Sequence, residues 1–120
     1  MWKIKKNLLI EIINAAKLNY PNEFICFLGG NSKTEEIIEF IFLPNESDEE
    51  SASINVQTMP YDDTIVGSLH SHPNSTNEPS NADKKLFLKY PINIILGYPF
   101  IIENIGVYNK KSDKIKIELI

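Results

Sequence analysis

The stretch of this chain that decides its fold and its chemistry reads His70-Ser71-His72-Pro73. It contains both histidines of the 120-residue sequence. Side chains at alternate positions of an extended strand point to the same face and lie roughly 6–7 Å apart, so His70 and His72 can converge on one ion while Ser71 points away. Two imidazoles make half of a zinc site, and the other ligands must come from elsewhere in the chain.

Asp83 is the candidate third ligand, because the segment after the histidines is rich in turn-forming residues. It reads Pro73-Asn74-Ser75-Thr76-Asn77-Glu78-Pro79 and allows the chain to turn back toward the strand. Structural zinc ions usually have four protein ligands, whereas catalytic zinc ions keep three and leave one position for a water whose pKa falls to about 7. The spacing therefore favours a catalytic site that binds one zinc ion per chain.

The same residues also have a purely structural interpretation. The run Ser80-Asn81-Ala82-Asp83 has the pattern of a capping box that begins a helix, with an acidic residue in the first turn. Asp83 would then be only part of a helix cap. The two interpretations are compatible, since a residue in the first helical turn is held rigidly enough to serve as a ligand.

The complete pattern is H-x-H-P-x6-S-x2-D, and it resembles the signature of the JAMM/MPN+ metalloprotease family. If each residue type occurs at a few per cent, the pattern arises by chance in a chain this long with a probability on the order of 10⁻⁵. The family places a glutamate far upstream, before a small apolar strand, and Glu23 stands in that place here, ahead of residues 24–30. The resemblance spans nearly the whole chain and rests in detail on Glu23 with its strand and on residues 66–83.

The resemblance implies a role for each matching residue. The zinc ligands would be His70, His72 and Asp83. Glu23 would hold and deprotonate the attacking water, and Ser80 would stabilise the oxyanion. Such groups supply the base and the charge stabilisation that amide hydrolysis requires. Taken without the downstream motif, however, Glu23 is an ordinary polar turn residue.

The chain departs from the family pattern just after this glutamate. Many relatives have Ala-Cys-Gly there, whereas this chain has Phe24-Ile25-Cys26, so the cysteine comes one position later. As a lone thiol in an apolar strand, Cys26 is expected to be a small core residue with neither a redox nor a nucleophilic role.

Composition sets the limits of the prediction. A chain of 120 residues with 42% hydrophobic content suits one compact domain, residues 1–120. A single cysteine excludes an internal disulfide framework and fits a reducing, cytoplasmic location. The formal net charge of −4 and the absence of arginine argue against nucleic-acid binding.

The N-terminal segment superficially resembles a secretory signal, with lysines ahead of an apolar run. Glu11 and Asn14 interrupt that run too early. The apolar residues instead follow helical spacing, which predicts the core face of a first helix. They are Leu8, Leu9, Ile12, Ile13 and Ala16. No apolar run has the length needed to cross a bilayer, so a membrane role is not expected.

Pattern and turn signals predict a chain dominated by strands. The predicted elements are a helix at 6–19, strands at 23–29, 35–43, 52–58 and 64–70, a helix at 80–90, a strand at 92–97, and a terminal pair near 100–108 and 114–119. Residues 45–50 form an acidic loop that is expected to be a solvated connection. Residues 109–113 have the composition of a hairpin turn.

The resemblance implies an α/β domain of the MPN (cytidine-deaminase-like) type, a mixed sheet with helices on its faces. It also implies cleavage after the C-terminal Gly-Gly of a ubiquitin-like modifier or a sulfur-carrier protein. A zinc peptidase for short peptides and a non-catalytic MPN scaffold remain alternatives. A zinc nucleoside deaminase is excluded, because it needs a P-C-x-x-C motif and Cys26 is the only cysteine. The sequence does not decide the oligomeric state.

Overall fold

The computed structural model describes residues 1–42 and 64–120. Within these ranges the chain forms seven strands and two α-helices, and the strands make one mixed sheet. The strands are β1 (Lys3–Ile4), β2 (Ile25–Asn31), β3 (Glu36–Ile41), β4 (Ile65–His72), β5 (Ile92–Gly97), β6 (Ile105–Tyr108) and β7 (Glu118–Leu119). The helices are α1 (Lys6–Asn19) and α2 (Asn81–Phe87). The predicted α/β class with a mixed sheet is confirmed.

The strand order across the sheet is β6-β5-β4-β2-β3-β1-β7. β4 is the third strand in this order and pairs antiparallel with β2 and parallel with β5. Both β4 and β5 are buried along almost their entire length, as expected of central strands covered on both faces. The end of β4 that carries the histidines is therefore held by a neighbour on each side.

The two helices lie against opposite faces of this sheet. The buried stripe of α1 (Leu9, Ile12, Ile13 and Ala16) belongs to a large core cluster that includes Leu69 and Ile94. On the other face, Phe87 of α2 packs with Ile95 and Tyr108. Because His70 is the register partner of Ile95, it lies on the α2 face.

Most predicted elements are present, with changes at their ends. The bounds of α1 and β5 match the predictions, whereas β2 begins two residues later than predicted and β4 continues two residues further, through His72. α2 ends at Phe87 rather than at 90, because Pro91 follows and disfavours helical backbone in the residue before it. The predicted strand at 52–58 and the acidic loop at 45–50 lie outside the described residues.

The C-terminal prediction was partly wrong. The 109–113 turn forms, and Tyr108 and Lys114 make an antiparallel bridge across it. Residues 100–104 are not strand, because the chain makes a 3₁₀ turn at Ile102–Asn104 before β6. β7 pairs with β1 in parallel instead of continuing the hairpin, so the two ends of the chain close one edge of the sheet. Neither helix among the described residues has the length and apolar character required to cross a membrane.

Candidate metal centre

The two histidines lie at the end of β4 and face the side of the sheet that α2 covers. Their register partners are Ile95 for His70 and Gly97 for His72. The two ring centroids are 5.1 Å apart. His70 is 6% exposed, and the side chain of His72 is 14% exposed. The predicted convergence of the two rings on one face is thus observed, with His72 the more exposed of the two rings.

Asp83 reaches the histidines from the first turn of α2. Its Oδ1 lies 3.0 Å from Nε2 of His70, and its Oδ2 lies 3.1 Å from Nε2 of His72. The helix start is held by a capping box: the Ser80 N–H donates to Asp83 Oδ2 (2.8 Å) and the Asp83 N–H donates to Ser80 Oγ (3.1 Å). Asp83 is therefore a cap residue and a neighbour of both rings at once, as the two sequence interpretations together allow.

The charges of these groups are mutually dependent. A side-chain hydrogen bond to Asp83 raises the pKa of His72 above its ordinary value, although burial opposes the shift. Burial alone would raise the pKa of Asp83, but the close His70 ring and the hydrogen bond with His72 outweigh it and hold that pKa well below its usual range. Asp83 is accordingly an anion at neutral pH, as a carboxylate ligand must be.

The orientation of the His72 ring is set by a second contact. Its Nδ1 lies 3.2 Å from the main-chain carbonyl oxygen of Thr76. A carbonyl oxygen can only accept a hydrogen bond, so this contact is a hydrogen bond when Nδ1 carries a proton. Nε2 faces the Asp83 carboxylate, which also only accepts, so the ring donates in both contacts when both nitrogens are protonated. A metal ion on Nε2 would take the place of the second proton and leave the Nδ1 proton to Thr76. Metal-binding histidines commonly have such an outer partner on the second nitrogen.

His70 shows why a cation suits this position. Both of its ring nitrogens are buried and have no hydrogen-bond partner among the described residues. The Asp83 oxygen 3.0 Å from Nε2 attracts the ring but is not aligned with it for a hydrogen bond. A buried polar atom without a partner is costly, and an ion between these groups would remove that cost for Nε2.

The separations of the three groups resemble those of ligand atoms around a tetrahedral zinc ion. One ligand atom from each of His70, His72 and Asp83 can be chosen so that all lie within 4.8 Å of one another. Ligand atoms at the usual zinc distances of about 2.0–2.1 Å are roughly 3.3 Å apart in a tetrahedron, close to the 3.0 and 3.1 Å separations seen here. Among residues 1–42 and 64–120 this is the only such cluster. The donor set and its spacing therefore fit zinc.

Glu23 lies just before β2, at the same end of the sheet. Ile25 pairs with His70, and continuing the antiparallel register by two residues puts Glu23 opposite His72 and on the same face. The negative charge of Glu23 is the smallest of the named contributions to the raised pKa of His72. Its main-chain carbonyl accepts a hydrogen bond from Asn19 Nδ2 at 2.9 Å, which attaches this turn to the end of α1.

Ser80 is exposed and precedes α2 directly. Its oxygen accepts the hydrogen bond in the capping box, so its own hydroxyl proton remains free to donate elsewhere. Cys26, in contrast, is fully buried in β2, and burial raises the pKa of its thiol. It is the inert core residue that the sequence predicts.

Sequence reasoning missed the residues that hold the site together. Ser71 is fully buried, its Oγ accepts a hydrogen bond from the Phe24 N–H (2.8 Å), and its own N–H donates to the Phe24 carbonyl (2.8 Å). These bonds fix the start of β2, next to Glu23, against the strand of the histidines. The only signal for Ser71 in the sequence is its place between the two histidines of β4. Side chains alternate along a strand, so Ser71 must point to the face of the sheet opposite the candidate ligands.

Comparisons with known proteins agree with this geometry. The family model described as prokaryotic homologs of the JAB domain matches residues 5–105. A Haloferax volcanii protein named "Probable metalloprotease" is 31% identical over 97 residues, which cover 73% of this chain and 60% of that protein. The chain thus spans less than two thirds of the length of this relative.

Solved structures give the same result for the fold. A structure described as JAMM, a metalloprotease-like zinc site in the proteasome and signalosome, has a TM-score of 0.77 and 30% identity, and covers 100% of this chain and 98% of its own. A JAB1/MPN domain protein from Archaeoglobus fulgidus has the same score and identity, with 100% and 97% covered. A Desulfitobacterium hafniense protein at 21% identity and a TM-score of 0.72, covering 100% and 93%, shows similarity of fold alone.

Proposed function

This chain belongs to the family of prokaryotic homologs of the JAB domain, and on that premise we propose that it is a zinc metalloprotease built from one domain, residues 1–120. The zinc ligands in this proposal are His70, His72 and Asp83. The observation that carries it is the convergence of one ligand atom from each of these three residues, at a place where Nε2 of His70 is buried and has no hydrogen-bond partner in the described part of the chain.

The proposed chemistry divides between the ion and two side chains. A bound zinc ion would supply Lewis acidity, which activates water and polarises a substrate carbonyl. Glu23 is the proposed general base: it accepts the proton of the attacking water and passes it to the departing amine. Its place opposite His72 supports this role, because a base must lie within reach of the water.

Ser80 is the proposed oxyanion donor. Its exposed hydroxyl lies at the start of the helix that presents Asp83, and the proton of that hydroxyl is not used by the capping box. A hydroxyl aimed at the developing negative charge stabilises the tetrahedral state more than the ground state. No covalent intermediate with the protein is required in this scheme.

The proposed substrate is a ubiquitin-like modifier or sulfur-carrier protein, cut after its terminal Gly-Gly. A Gly-Gly segment has no side chains, so it can approach a strand closely and pair with it through main-chain hydrogen bonds. The support comes from the family, because the described residues alone argue only for hydrolysis of an amide bond. The competing candidate is a zinc peptidase that acts on short peptides.

One assay separates these candidates. The zinc-loaded protein is incubated with ubiquitin-like proteins from its own source, each fused after Gly-Gly to a reporter, and with unrelated short peptides. We expect cleavage directly after Gly-Gly, and a large loss when both glycines are replaced by leucine. Equal cleavage of the unrelated peptides and no effect of that replacement would favour the short-peptide candidate.

A further inference from the structure

Asn104 joins three segments of chain next to the candidate metal centre. Its Nδ2 donates to the carbonyl oxygens of Ser75 (3.2 Å) and Tyr98 (3.1 Å). Its Oδ1 accepts a hydrogen bond from Asn77 Nδ2 (3.0 Å). Ser75 and Asn77 belong to the loop between β4 and α2, whereas Tyr98 directly follows β5. One half-buried amide therefore uses both of its ends to hold this loop against the sheet.

The loop is the part of the chain that orients the His72 ring. It supplies the Thr76 carbonyl oxygen that lies 3.2 Å from Nδ1 of His72, and Thr76 sits between the two loop residues that Asn104 holds. If the loop moves, Nδ1 loses the acceptor that holds the ring in this orientation. A metal ion on Nε2 would leave the proton of the neutral ring on Nδ1, so this carbonyl oxygen is the outer partner of the ring in the metal-bound state.

The packing around Gly97 supports the same arrangement independently. Gly97 is the register partner of His72. A Cβ added to it would lie 2.6 Å from Asn104 Nδ2 and 3.0 Å from the Thr76 carbonyl oxygen. The space that a side chain at position 97 would need is thus occupied by the Asn104 amide and the Thr76 carbonyl. The strand, the amide and the carbonyl form one close-packed unit beside the histidine.

We propose that Asn104 is a positioning residue for the candidate metal centre: it holds the loop so that the Thr76 carbonyl stays within hydrogen-bond reach of Nδ1 of His72 and keeps Nε2 of that ring turned toward Asp83. This inference deepens the proposed function and rests on it for the identity of the ion. Asn104 itself touches neither the ligands' coordinating atoms nor a substrate in this scheme, so its effect passes through Thr76.

Asn104→Asp is the most direct variant. It keeps the size of the side chain and the oxygen that accepts from Asn77, and it replaces the NH₂ group that donates to Ser75 and Tyr98. The added negative charge would by itself favour a cation nearby, so weaker zinc binding cannot be attributed to charge. Asn104→Ser is the uncharged companion variant, which keeps one short donor.

The matched control is Asn109→Asp. Asn109 also organises a loop, but its side-chain oxygen only accepts, from the N–H groups of Lys111 and Asp113, and it lies in the turn after β6. The same substitution there adds the same charge and keeps the hydrogen bonds. Asn109→Ala adds a variant that weakens a loop without touching the one beside His72.

The test has three readouts on the full chain. In the metal-free protein, hydrogen exchange of the Tyr98 amide, whose N–H donates to the Asn74 carbonyl at 2.7 Å, reports whether the loop stays on the sheet. In the zinc-loaded protein, solvent exchange of the His72 Nδ1 proton reports its hydrogen bond to Thr76. Zinc affinity is measured by competition with a chelator. We expect both protons to be protected equally in the wild type and both Asn109 variants. The Asn104 variants should lose that protection and bind zinc roughly 10-fold more weakly, at the lower end of the 10–100-fold loss typical of outer partners of metal ligands.

The outcomes separate this inference from the proposed function. Folded Asn104 variants with unchanged proton protection and zinc affinity within twofold of wild type would overturn the positioning role while leaving the metalloprotease proposal intact. An equal loss of zinc affinity in Asn109→Ala would overturn it as well, because the effect would then be general loosening. A wild type that binds no zinc would defeat the proposed function, and the Tyr98 exchange measurement would still decide whether Asn104 holds the loop.

Discussion

Ser80 and Asp83 are joined by two reciprocal hydrogen bonds, of 2.8 and 3.1 Å, and this pair presents the Asp83 carboxylate to both histidine rings. The same oxygen of Asp83 that faces His72 also accepts the N–H of Ser80. A helix cap, normally a local source of stability, is therefore here part of the geometry of the candidate metal centre. Substitution of Ser80 is consequently expected to change both the stability of the protein and its rate of hydrolysis, which can be measured separately.

Ser80→Ala is expected to lower both stability and rate while zinc remains bound. Loss of the cap should reduce the free energy of unfolding by about 1 kcal/mol. Loss of the oxyanion donor should reduce kcat/KM roughly 10²–10³-fold. Ser80→Thr keeps a hydroxyl, so it should retain most of the stability and most of the kcat/KM of the wild type. A change in melting temperature alone, with full activity, would show that Ser80 is only a helix cap.

Glu23→Gln is expected to keep zinc and lose hydrolysis. It preserves the shape of the side chain but removes the proton acceptor, and general base catalysis commonly contributes about 10²–10⁴-fold. Zinc content and kcat/KM are measured on the same preparation. The matched control is Glu11→Gln on the exposed side of α1, which should leave both quantities unchanged. Full activity in Glu23→Gln would mean that Glu23 is an ordinary turn residue.

The metal-free protein should be most stable in mildly acidic solution. His72 has a raised pKa, so its contribution is fully present below the unfolded value of about 6.5 and is lost as the pH rises through the folded value. Asp83 has a lowered pKa, so its contribution is fully present above about 3.9 and is lost as the pH falls through the folded value. The stabilising contributions of His72 and Asp83 are therefore both fully present between about pH 4 and 6.5.

Zinc should reverse this preference, because zinc binds neutral imidazole and must displace the proton of His72. The rise in melting temperature on adding zinc is therefore expected to be larger at pH 7.5 than at pH 5.5. Calorimetric titrations in two buffers of different ionisation enthalpy would detect the released proton. A zinc-dependent shift that is the same at both pH values would contradict this description of His72.

The parts of the fold that sequence predicted well have local signals. The helical spacing of Leu9, Ile12 and Ala16 marks α1, and the short apolar run of β5 ends where Gly97 and Pro99 begin a turn. The three candidate ligands could likewise be predicted, because two of them share a strand and the third begins a helix after a short turn. In each case the residues that decide the structure are near neighbours in the chain.

The parts that were missed depend on contacts between distant residues. β7 has two residues and pairs with β1 at the other end of the chain, so neither strand has a detectable period. The role of Asn104 depends on a hydrogen bond to Ser75, 29 residues away, and a single amide bonded to main-chain oxygens leaves no pattern of spacing. Such contacts follow from the packed sheet and become visible only once its register is known.

The most direct test of the central claim is the metal content of the purified wild-type chain beside that of His70→Ala. His70 is buried with two ring nitrogens that lack hydrogen-bond partners within the described structure, so it is the ligand whose position an ion best explains. After zinc is supplied and excess is removed, elemental analysis should find close to one zinc per chain in the wild type and almost none in the variant. A wild type without a bound transition-metal ion, or a His70→Ala protein that retains its zinc, would contradict the account.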